Sequence, residues 1–155
     1  MARKTNVHAE EGKQELLITR EFDLPVALLF KAYVEPELVE QWMGTKVLRL
    51  ECKTHGGYQF ETSDPQGNVV FRAHGTIHTV HPNEKIIRTF EIEDTPFTAQ
   101  LEFLEFEELT NHTSKLTMHI VFKSVTLRNQ LLQMPIVQGL NSAHDRLLTI
   151  LSKLK

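Results

Sequence analysis

The stretch from Ile18 to Gly44 constrains the fold more than any other part of the chain. It begins in a strand-like alternation of apolar and polar residues, after which Asp23 and Pro25 mark the start of a helix. Pro36 fits only the first turn of a helix and biases the residue before it towards an extended conformation, so two short helices suit these residues better than one long helix. We therefore predict a strand followed by two short helices, the second ending at the glycine.

Beyond Gly44 the apolar residues recur with a spacing of two, which is typical of strands that bury one face. Polar turns such as 64–68 and 81–84 separate the runs. We predict an α+β fold in which about six to seven strands form an antiparallel meander that needs a cover on its apolar face. After the Gly56-Gly57 turn, the sets of residues that share this spacing are Tyr58 and Phe60; Phe71, Ala73, Gly75 and Ile77; Ile86, Arg88, Phe90 and Ile92; Ala99, Leu101 and Phe103; and Leu116, Met118, Ile120 and Phe122.

The C-terminal part of the chain supplies that cover. From about Thr126 the apolar residues return to helical spacing, and the predicted helix is long enough to cross the sheet. Pro135 interrupts the pattern, so we predict a break near Met134, with Thr126 as the N-terminal cap. The predicted buried stripe consists of Leu140, His144, Leu147, Leu151 and Leu154.

Length, charge and cysteine content exclude several classes of protein. The 155 residues fit one domain over residues 13–155, after a flexible polar tail over residues 1–12. A net charge of −3 gives no basic field for nucleic acid. No apolar run approaches the roughly 20 residues of a membrane-spanning helix, and the N-terminus lacks the apolar core of a signal peptide. The lone Cys52 excludes an intrachain disulfide, so we predict a cytoplasmic protein.

Four short motifs carry a family resemblance: Arg20-Glu-Phe-Asp, Phe30-Lys-Ala, Glu35-Pro-Glu-Leu and Gln41-Trp-Met-Gly44. Together they resemble the opening of the START-like (SRPBCC) superfamily, and within it the proteins related to the heat-shock protein 90 ATPase activator. The resemblance covers the chain from about Gln14 to Lys153. It implies a helix-grip fold, in which a curved antiparallel sheet wraps around a long C-terminal helix.

The sequence departs from that family pattern at two places. Many relatives carry a second Trp and a Pro around Met43 to Thr45, and an aromatic residue where this chain has Leu140. Met and Leu are more deformable or smaller than aromatic rings, so the ligand preference of a relative does not transfer.

In this fold a gap between sheet and helix forms a cavity, in which apolar walls and a few polar groups bind a ligand. We therefore predict that the protein binds a small hydrophobic or amphipathic molecule. The candidate lining residues are Trp42, Tyr58, Phe60, Phe71, Arg88, Phe90, Phe103, Met118, Ile120, Met134, Leu140 and His144.

Three of these candidates have a structural and a functional interpretation. If Phe90 faces inward then Arg88 does too, and a buried guanidinium requires a partner. An internal ion pair is favoured over an anchor for an anionic or carbonyl-bearing ligand. His144 is more simply a hydrogen-bonded core histidine than an acid/base group. Trp42 is more simply a packing anchor than a ligand contact.

The eight histidines do not predict a metal site. His74 and His78 share one face of a strand but lie about 13 Å apart, too far to share one ion. They alternate with apolar residues and should therefore point to solvent. No nucleophile, phosphate-loop or dinucleotide motif appears, and Cys52 lacks a nearby activating group, so we predict neither catalytic residues nor a cofactor.

Two alternatives to simple ligand binding follow from the resemblance. The first is a chaperone accessory protein; the eukaryotic activators carry an additional N-terminal domain that this chain is too short to contain, so stimulation should be weak or absent. The second is a cyclase-like or hydrolase-like enzyme. That role requires Arg88 and His144 to line one water-poor pocket.

Overall fold

A computed structural model describes residues 4–155 as eight strands and four helices. The strands are β1 (Asn6–His8), β2 (Glu15–Phe22), β3 (Lys46–Leu50), β4 (Gly57–Ser63), β5 (Val69–His81), β6 (Lys85–Ile92), β7 (Gln100–Thr110) and β8 (Thr113–Val121). The helices are α1 (Val26–Val34), α2 (Pro36–Met43), α3 (Val125–Leu132) and α4 (Ile136–Ser152). The mixed α+β class is confirmed, and the strand count is slightly higher than the predicted six to seven.

All strands belong to one antiparallel sheet in the order β1-β2-β8-β7-β6-β5-β4-β3. From β3 to β8, neighbours in the sheet are also neighbours in sequence, as the meander prediction requires. β2 instead pairs with β8, with Ile18 opposite Met118. Register shifts in four strand pairs mark bulges, which bend the strands. This architecture is the helix-grip fold that the sequence predicts.

The two short helices begin and end where the prolines and the glycine predict. Pro25 precedes α1, and Pro36 is the first residue of α2. Gly44 ends α2 in the left-handed conformation with φ of 65°, a backbone geometry that glycine adopts without a steric cost.

The C-terminal helix is broken, as predicted, around Met134. α3 ends before Gln133, and α4 starts directly after Pro135. The predicted cap is wrong: the Ser124 hydroxyl accepts the Leu127 N–H at 3.1 Å, whereas Thr126 lies exposed inside the first turn. Leu154 lies beyond the end of α4 and is 48% exposed, so the buried stripe stops earlier than predicted.

Part of the predicted flexible tail forms β1, an edge strand that pairs with β2. Thr5 is buried, and its N–H donates to the Asn141 side-chain oxygen at 3.0 Å. Arg128 of α3 donates to the carbonyl of Glu10 at 2.6 Å. These contacts join residues 5–10 to the helices. Residues 1–3 of the predicted tail lie outside the described residues.

Strand β7 faces the opposite way from its prediction. Glu102, Leu104 and Phe106 are buried, whereas Leu101 is 38% exposed. Phe103 lies on the outer face, where its ring stacks on His119 with 5.7 Å between centroids. The sequence pattern predicts the wrong face of β7 because Glu102, which points inward, is charged. A charged residue in an alternating strand is normally assigned to the solvent-facing side.

The core lies between the inner face of the sheet and the helices. Phe106 of β7 meets Phe30 and Tyr33 of α1 edge to face, with centroids 5.0 and 5.5 Å apart. In α4, Leu147 and Leu151 are completely buried. The other predicted inward sets hold, including Ile86 of β6. No helix among residues 4–155 is long and apolar enough to span a membrane.

Candidate functional site

A cavity of about 230 Å³ lies between the inner face of the sheet and the helices α1 to α4. Strands β2, β6, β7 and β8 form its floor and sides, and α3 and α4 form its cover. Its lining consists of Ile18, Tyr33, Trp42, Met43, Arg88, Phe90, Ile92, Gln100, Glu102, Met118, Ile120, Leu131, Ile136, Leu140, Ala143 and His144.

The cavity has a buried side and a half-exposed side. Ile18 of β2 and Ile120 of β8 are almost completely buried. Phe90 of β6 and Ile136 and Leu140 of α4 are only partly covered. These three side chains therefore form the partly exposed rim of the cavity.

Trp42 is positioned by two hydrogen bonds around it. Its indole N–H donates to the Ala32 carbonyl at 2.8 Å, and Arg146 of α4 donates to the Trp42 carbonyl at 3.0 Å. Its ring packs against Tyr33 at 5.1 Å between centroids. Trp42 is thus the packing anchor that the sequence favours, and it also forms part of the cavity wall.

A buried ion pair forms the polar wall of the cavity. Arg88 Nε donates to Glu102 Oε1 at 2.9 Å, and Gln100 Nε2 donates to Glu102 Oε2 at 2.7 Å. The guanidinium lies 5.2 Å from the centroid of the Tyr58 ring, a cation–π contact. Burial lowers the pKa of Arg88, but attraction to Tyr58 and Glu102 outweighs it, so the group stays charged. The internal ion pair that the sequence favours is present.

Tyr33 places its phenol group in the same wall. Its side chain is 4% exposed, and its ring is fixed between Trp42 and Phe106. Burial raises the pKa of Tyr33 well above its ordinary value, so the hydroxyl keeps its proton at neutral pH and can donate it in a hydrogen bond.

His144 enters the cavity from α4 and is 1% exposed. Its Nδ1 lies 2.6 Å from the Thr5 hydroxyl oxygen, and its ring meets Phe22 edge to face at 5.5 Å. Burial, and secondly the charge of Arg20, lower the pKa of His144 to about 4, while Asp145 opposes the shift. The imidazole is therefore neutral at neutral pH, as a hydrogen-bonded core histidine should be.

The structure brings seven of the twelve predicted residues together around this cavity: Trp42, Arg88, Phe90, Met118, Ile120, Leu140 and His144. The other five lie elsewhere. Tyr58 and Phe60 are buried in the core, 5.2 Å apart between ring centroids. Phe71 is half-buried on β5, Phe103 faces outward, and Met134 is 50% exposed in the break before α4.

Glu102 and Tyr33 are among the polar lining residues that the sequence prediction missed. Glu102 could have been predicted from the need of Arg88 for an acidic partner. Glu102, Leu104 and Phe106 are spaced two apart, so an inward-facing set of these residues would place a carboxylate on the inner face. Tyr33 could not have been predicted in the same way, since an aromatic residue on the apolar face of a helix is normally assigned to the core. The other lining residues outside the prediction are Ile18, Met43, Ile92, Gln100, Leu131, Ile136 and Ala143.

A metal site and a reactive thiol are two further kinds of site that the histidines and Cys52 could form. Within residues 4–155, no three His, Cys, Asp or Glu side chains are grouped closely enough to hold an ion. His74 and His78 are exposed, and His74 Nδ1 lies 3.1 Å from Glu93. Burial raises the pKa of the Cys52 thiol, which leaves it protonated and a poor nucleophile.

Comparison with known proteins identifies relatives over most of the chain. The family model described as Activator of Hsp90 ATPase homolog 1-like protein matches residues 23–152. No curated protein matches the sequence.

Solved structures with the same fold come from several bacteria. A protein from Rhodobacter sphaeroides has a TM-score of 0.86 at 17% identity, over 97% of this chain and 99% of its own. A protein from Mycobacterium smegmatis has a TM-score of 0.82 at 20% identity, over 94% and 95%. A protein from Staphylococcus epidermidis has a TM-score of 0.79 at 22% identity, over 94% of both chains. At these identities the likeness establishes the fold.

Proposed function

The chain belongs to the Activator of Hsp90 ATPase homolog 1-like family, and on that premise we propose that it binds a small hydrophobic or amphipathic molecule between its sheet and α4. The observation that carries this proposal is the cavity itself. Most of its wall is apolar, and its polar groups are grouped around Arg88, which is the usual composition of a small-molecule site.

The volume of the cavity limits the size of the ligand. About 230 Å³ is below the roughly 300–1,000 Å³ of typical drug-sized pockets. It exceeds the roughly 150 Å³ that suffices for benzene in an engineered protein cavity. A molecule with one ring and a short substituent therefore fits without rearrangement of the fold.

The methionines provide a direct test. Met43 and Met118 line the cavity, whereas Met134 lies outside it. With 13C-labelled methionine methyl groups, titration with a set of one-ring aromatic compounds should shift the Met43 and Met118 signals saturably and leave the Met134 signal in place. Native mass spectrometry of protein purified from its own host would then identify the natural ligand. The absence of saturable shifts at both lining methionines for every compound would contradict the proposal.

Arg88 and His144 line the same cavity, which is one part of the geometric condition for an enzymatic role. We include a cyclase-like or hydrolase-like activity as a second candidate on this observation. Once a ligand is known, Arg88→Gln and His144→Gln should be compared for turnover and for binding. A catalytic role predicts lost turnover with binding retained, whereas a structural role predicts lost stability.

The description of the family also supports a chaperone-ATPase accessory role as an alternative. The test is an ATPase assay with the chaperone of the same host. A saturable rise in ATP hydrolysis on addition of the protein would support this role, and an unchanged rate at a several-fold excess would contradict it.

A further inference from the structure

The polar wall of the cavity holds hydrogen-bond donors that the protein does not use. Arg88 donates through Nε to Glu102, but neither of its two Nη atoms meets an acceptor within residues 4–155. Each Glu102 oxygen already accepts one hydrogen bond, since Gln100 Nε2 donates to the second oxygen. The ion pair is therefore a single contact rather than the bidentate fork that Arg and carboxylates often form.

Tyr33 adds a second unused donor. Its hydroxyl likewise has no partner among the described residues, although the side chain is buried. In that part of the chain, Arg20 Nε is the only completely enclosed side-chain nitrogen or oxygen without a partner. The Arg88 Nη atoms and the Tyr33 hydroxyl must therefore border open space, and both residues line the cavity. A buried donor without a partner destabilises the folded protein, and a ligand acceptor would remove that cost.

The charge of this wall is already balanced. The lining contains one cationic side chain, Arg88, and one carboxylate, Glu102, 2.9 Å apart. His144 also lines the cavity, and its Nδ1 lies within hydrogen-bond distance of the Thr5 hydroxyl oxygen. A ligand carboxylate would add a negative charge with no positive charge left to compensate it, and an uncompensated buried charge is costly. A neutral acceptor meets the donors without that penalty.

We propose that the cavity selects an uncharged ligand whose carbonyl oxygen accepts hydrogen bonds from Arg88 and Tyr33, and that it discriminates against a carboxylate of the same shape. This inference rests on the proposed ligand-binding function and specifies the class of ligand: a one-ring ketone, aldehyde, ester or amide. The apolar residues Ile18, Met118 and Leu140 would contact the ring.

Three probes of nearly equal shape separate the elements of this inference. Acetophenone carries a carbonyl group, α-methylstyrene replaces its oxygen with a CH2 group, and benzoate carries a charge. Titrations followed by the methyl signals of Met43 and Met118 give a dissociation constant for each. We expect acetophenone to bind at least about tenfold more tightly than α-methylstyrene, because hydrogen bonds from a charged donor are among the stronger ones in proteins. Benzoate should bind more weakly than acetophenone.

Two conservative variants assign the effect to residues. Tyr33→Phe removes one donor and keeps the ring that packs on Trp42, so it should reduce the preference for acetophenone over α-methylstyrene several-fold. Tyr58→Phe is the matched control, because the Tyr58 hydroxyl donates to the Thr89 carbonyl and the residue does not line the cavity. Glu102→Gln leaves Arg88 uncompensated and should make benzoate bind more tightly than acetophenone.

Each outcome bears on a different claim. Equal binding of acetophenone and α-methylstyrene overturns the carbonyl inference and leaves the ligand-binding function standing. Benzoate binding best to the wild type overturns the charge argument. If none of the three probes shifts either lining methionine, the carbonyl inference fails; if no compound of the wider one-ring set does so, the proposed function fails as well. These wild-type comparisons decide the matter even if Glu102→Gln does not fold.

Discussion

The two halves of α4 have the same amphipathic pattern but different surroundings. In the C-terminal half, Leu147 and Leu151 are completely buried against the rest of the core. In the N-terminal half, Ile136 and Leu140 are only half-buried, and they border the cavity as well as the edge of the core. The N-terminal half of α4 therefore covers the cavity, and the C-terminal half anchors the helix in the core.

This difference teaches that an apolar stripe does not reveal what it faces. A leucine that packs on other side chains and a leucine that borders a cavity occur at the same helical spacing in the sequence. The two are distinguished by the volume of the side chains opposite them, and those come from distant parts of the chain. Mutations should separate the halves, because one half stabilises the fold and the other determines the space for a ligand.

The largest expected effect is in the anchoring half. Leu147→Ala should lower the free energy of unfolding by about 2–5 kcal/mol, because it leaves a cavity in packed core. Leu140→Ala, the matched change in the covering half, should cost about 1 kcal/mol or less, since its side chain already borders open space. Urea denaturation measures both. Equal losses would show that the two halves are packed alike.

The next effect is the pH dependence of stability that arises from His144, which lies between the two halves of α4. Its pKa is lowered from 6.5 in the unfolded chain to about 4 in the folded state, so the unfolded state binds the proton first. Stability is therefore complete above pH 6.5 and is lost as the pH falls from 6.5 to 4, by about 3 kcal/mol at most.

The charged neighbours of His144, Arg20 and Asp145, form a 2.8 Å ion pair and remain in place in the control variant His144→Gln. Thermal or urea unfolding from pH 7.5 to 4 should give a steeper loss for the wild type than for this variant. Parallel curves would mean that His144 titrates in the folded state as it does in the unfolded chain.

A smaller effect tests how the covering side is held in place. Ser124→Ala removes the cap of α3, the helix that contributes Leu131 to the cavity, and should cost about 1 kcal/mol. Thr126→Ala removes the cap that the sequence predicts and should change stability by less than about 0.5 kcal/mol. Urea denaturation of the pair distinguishes the two assignments, and a larger cost at Thr126 would reverse them.

The smallest effect on stability should accompany a large effect on binding. Leu140→Phe places an aromatic ring at the rim and should change stability by about 1 kcal/mol or less. It should also reduce the space for acetophenone, and so weaken the methyl shifts of Met118. Val137→Phe is the control on the same half of α4, since Val137 is 45% exposed and does not line the cavity. Unchanged binding in Leu140→Phe would place the ligand elsewhere.

The features that the sequence predicted well depend on local chemistry. Pro25, Pro36 and Gly44 restrict the backbone regardless of what surrounds them, so the limits of α1 and α2 were predictable. The alternation in β8 was equally clear, because every inward position from Leu116 to Phe122 is apolar. The break at Pro135 follows from the missing N–H of proline.

The features that the sequence prediction missed depend on distant partners. β1 is three residues long and mostly polar, and it becomes a strand only because β2 lies beside it. The inward face of β7 was predicted wrongly because Glu102 is buried only through its ion pair with Arg88 of β6, and the pattern within β7 does not show that partner. Candidate wall residues such as Tyr58 and Phe60 were indistinguishable from core, since the position of the cavity depends on how the bulges bend the sheet.

The pairing of β2 with β8 has a consequence for folding kinetics. Leu17 lies opposite His119, so this pairing closes a loop of about 100 residues, and we expect it to form after the local hairpins. Chains with such distant contacts fold in milliseconds to seconds rather than microseconds. Because Ile18 of β2 lines the cavity, the cavity is complete only after this last step. A ligand should therefore slow unfolding while leaving the folding rate unchanged.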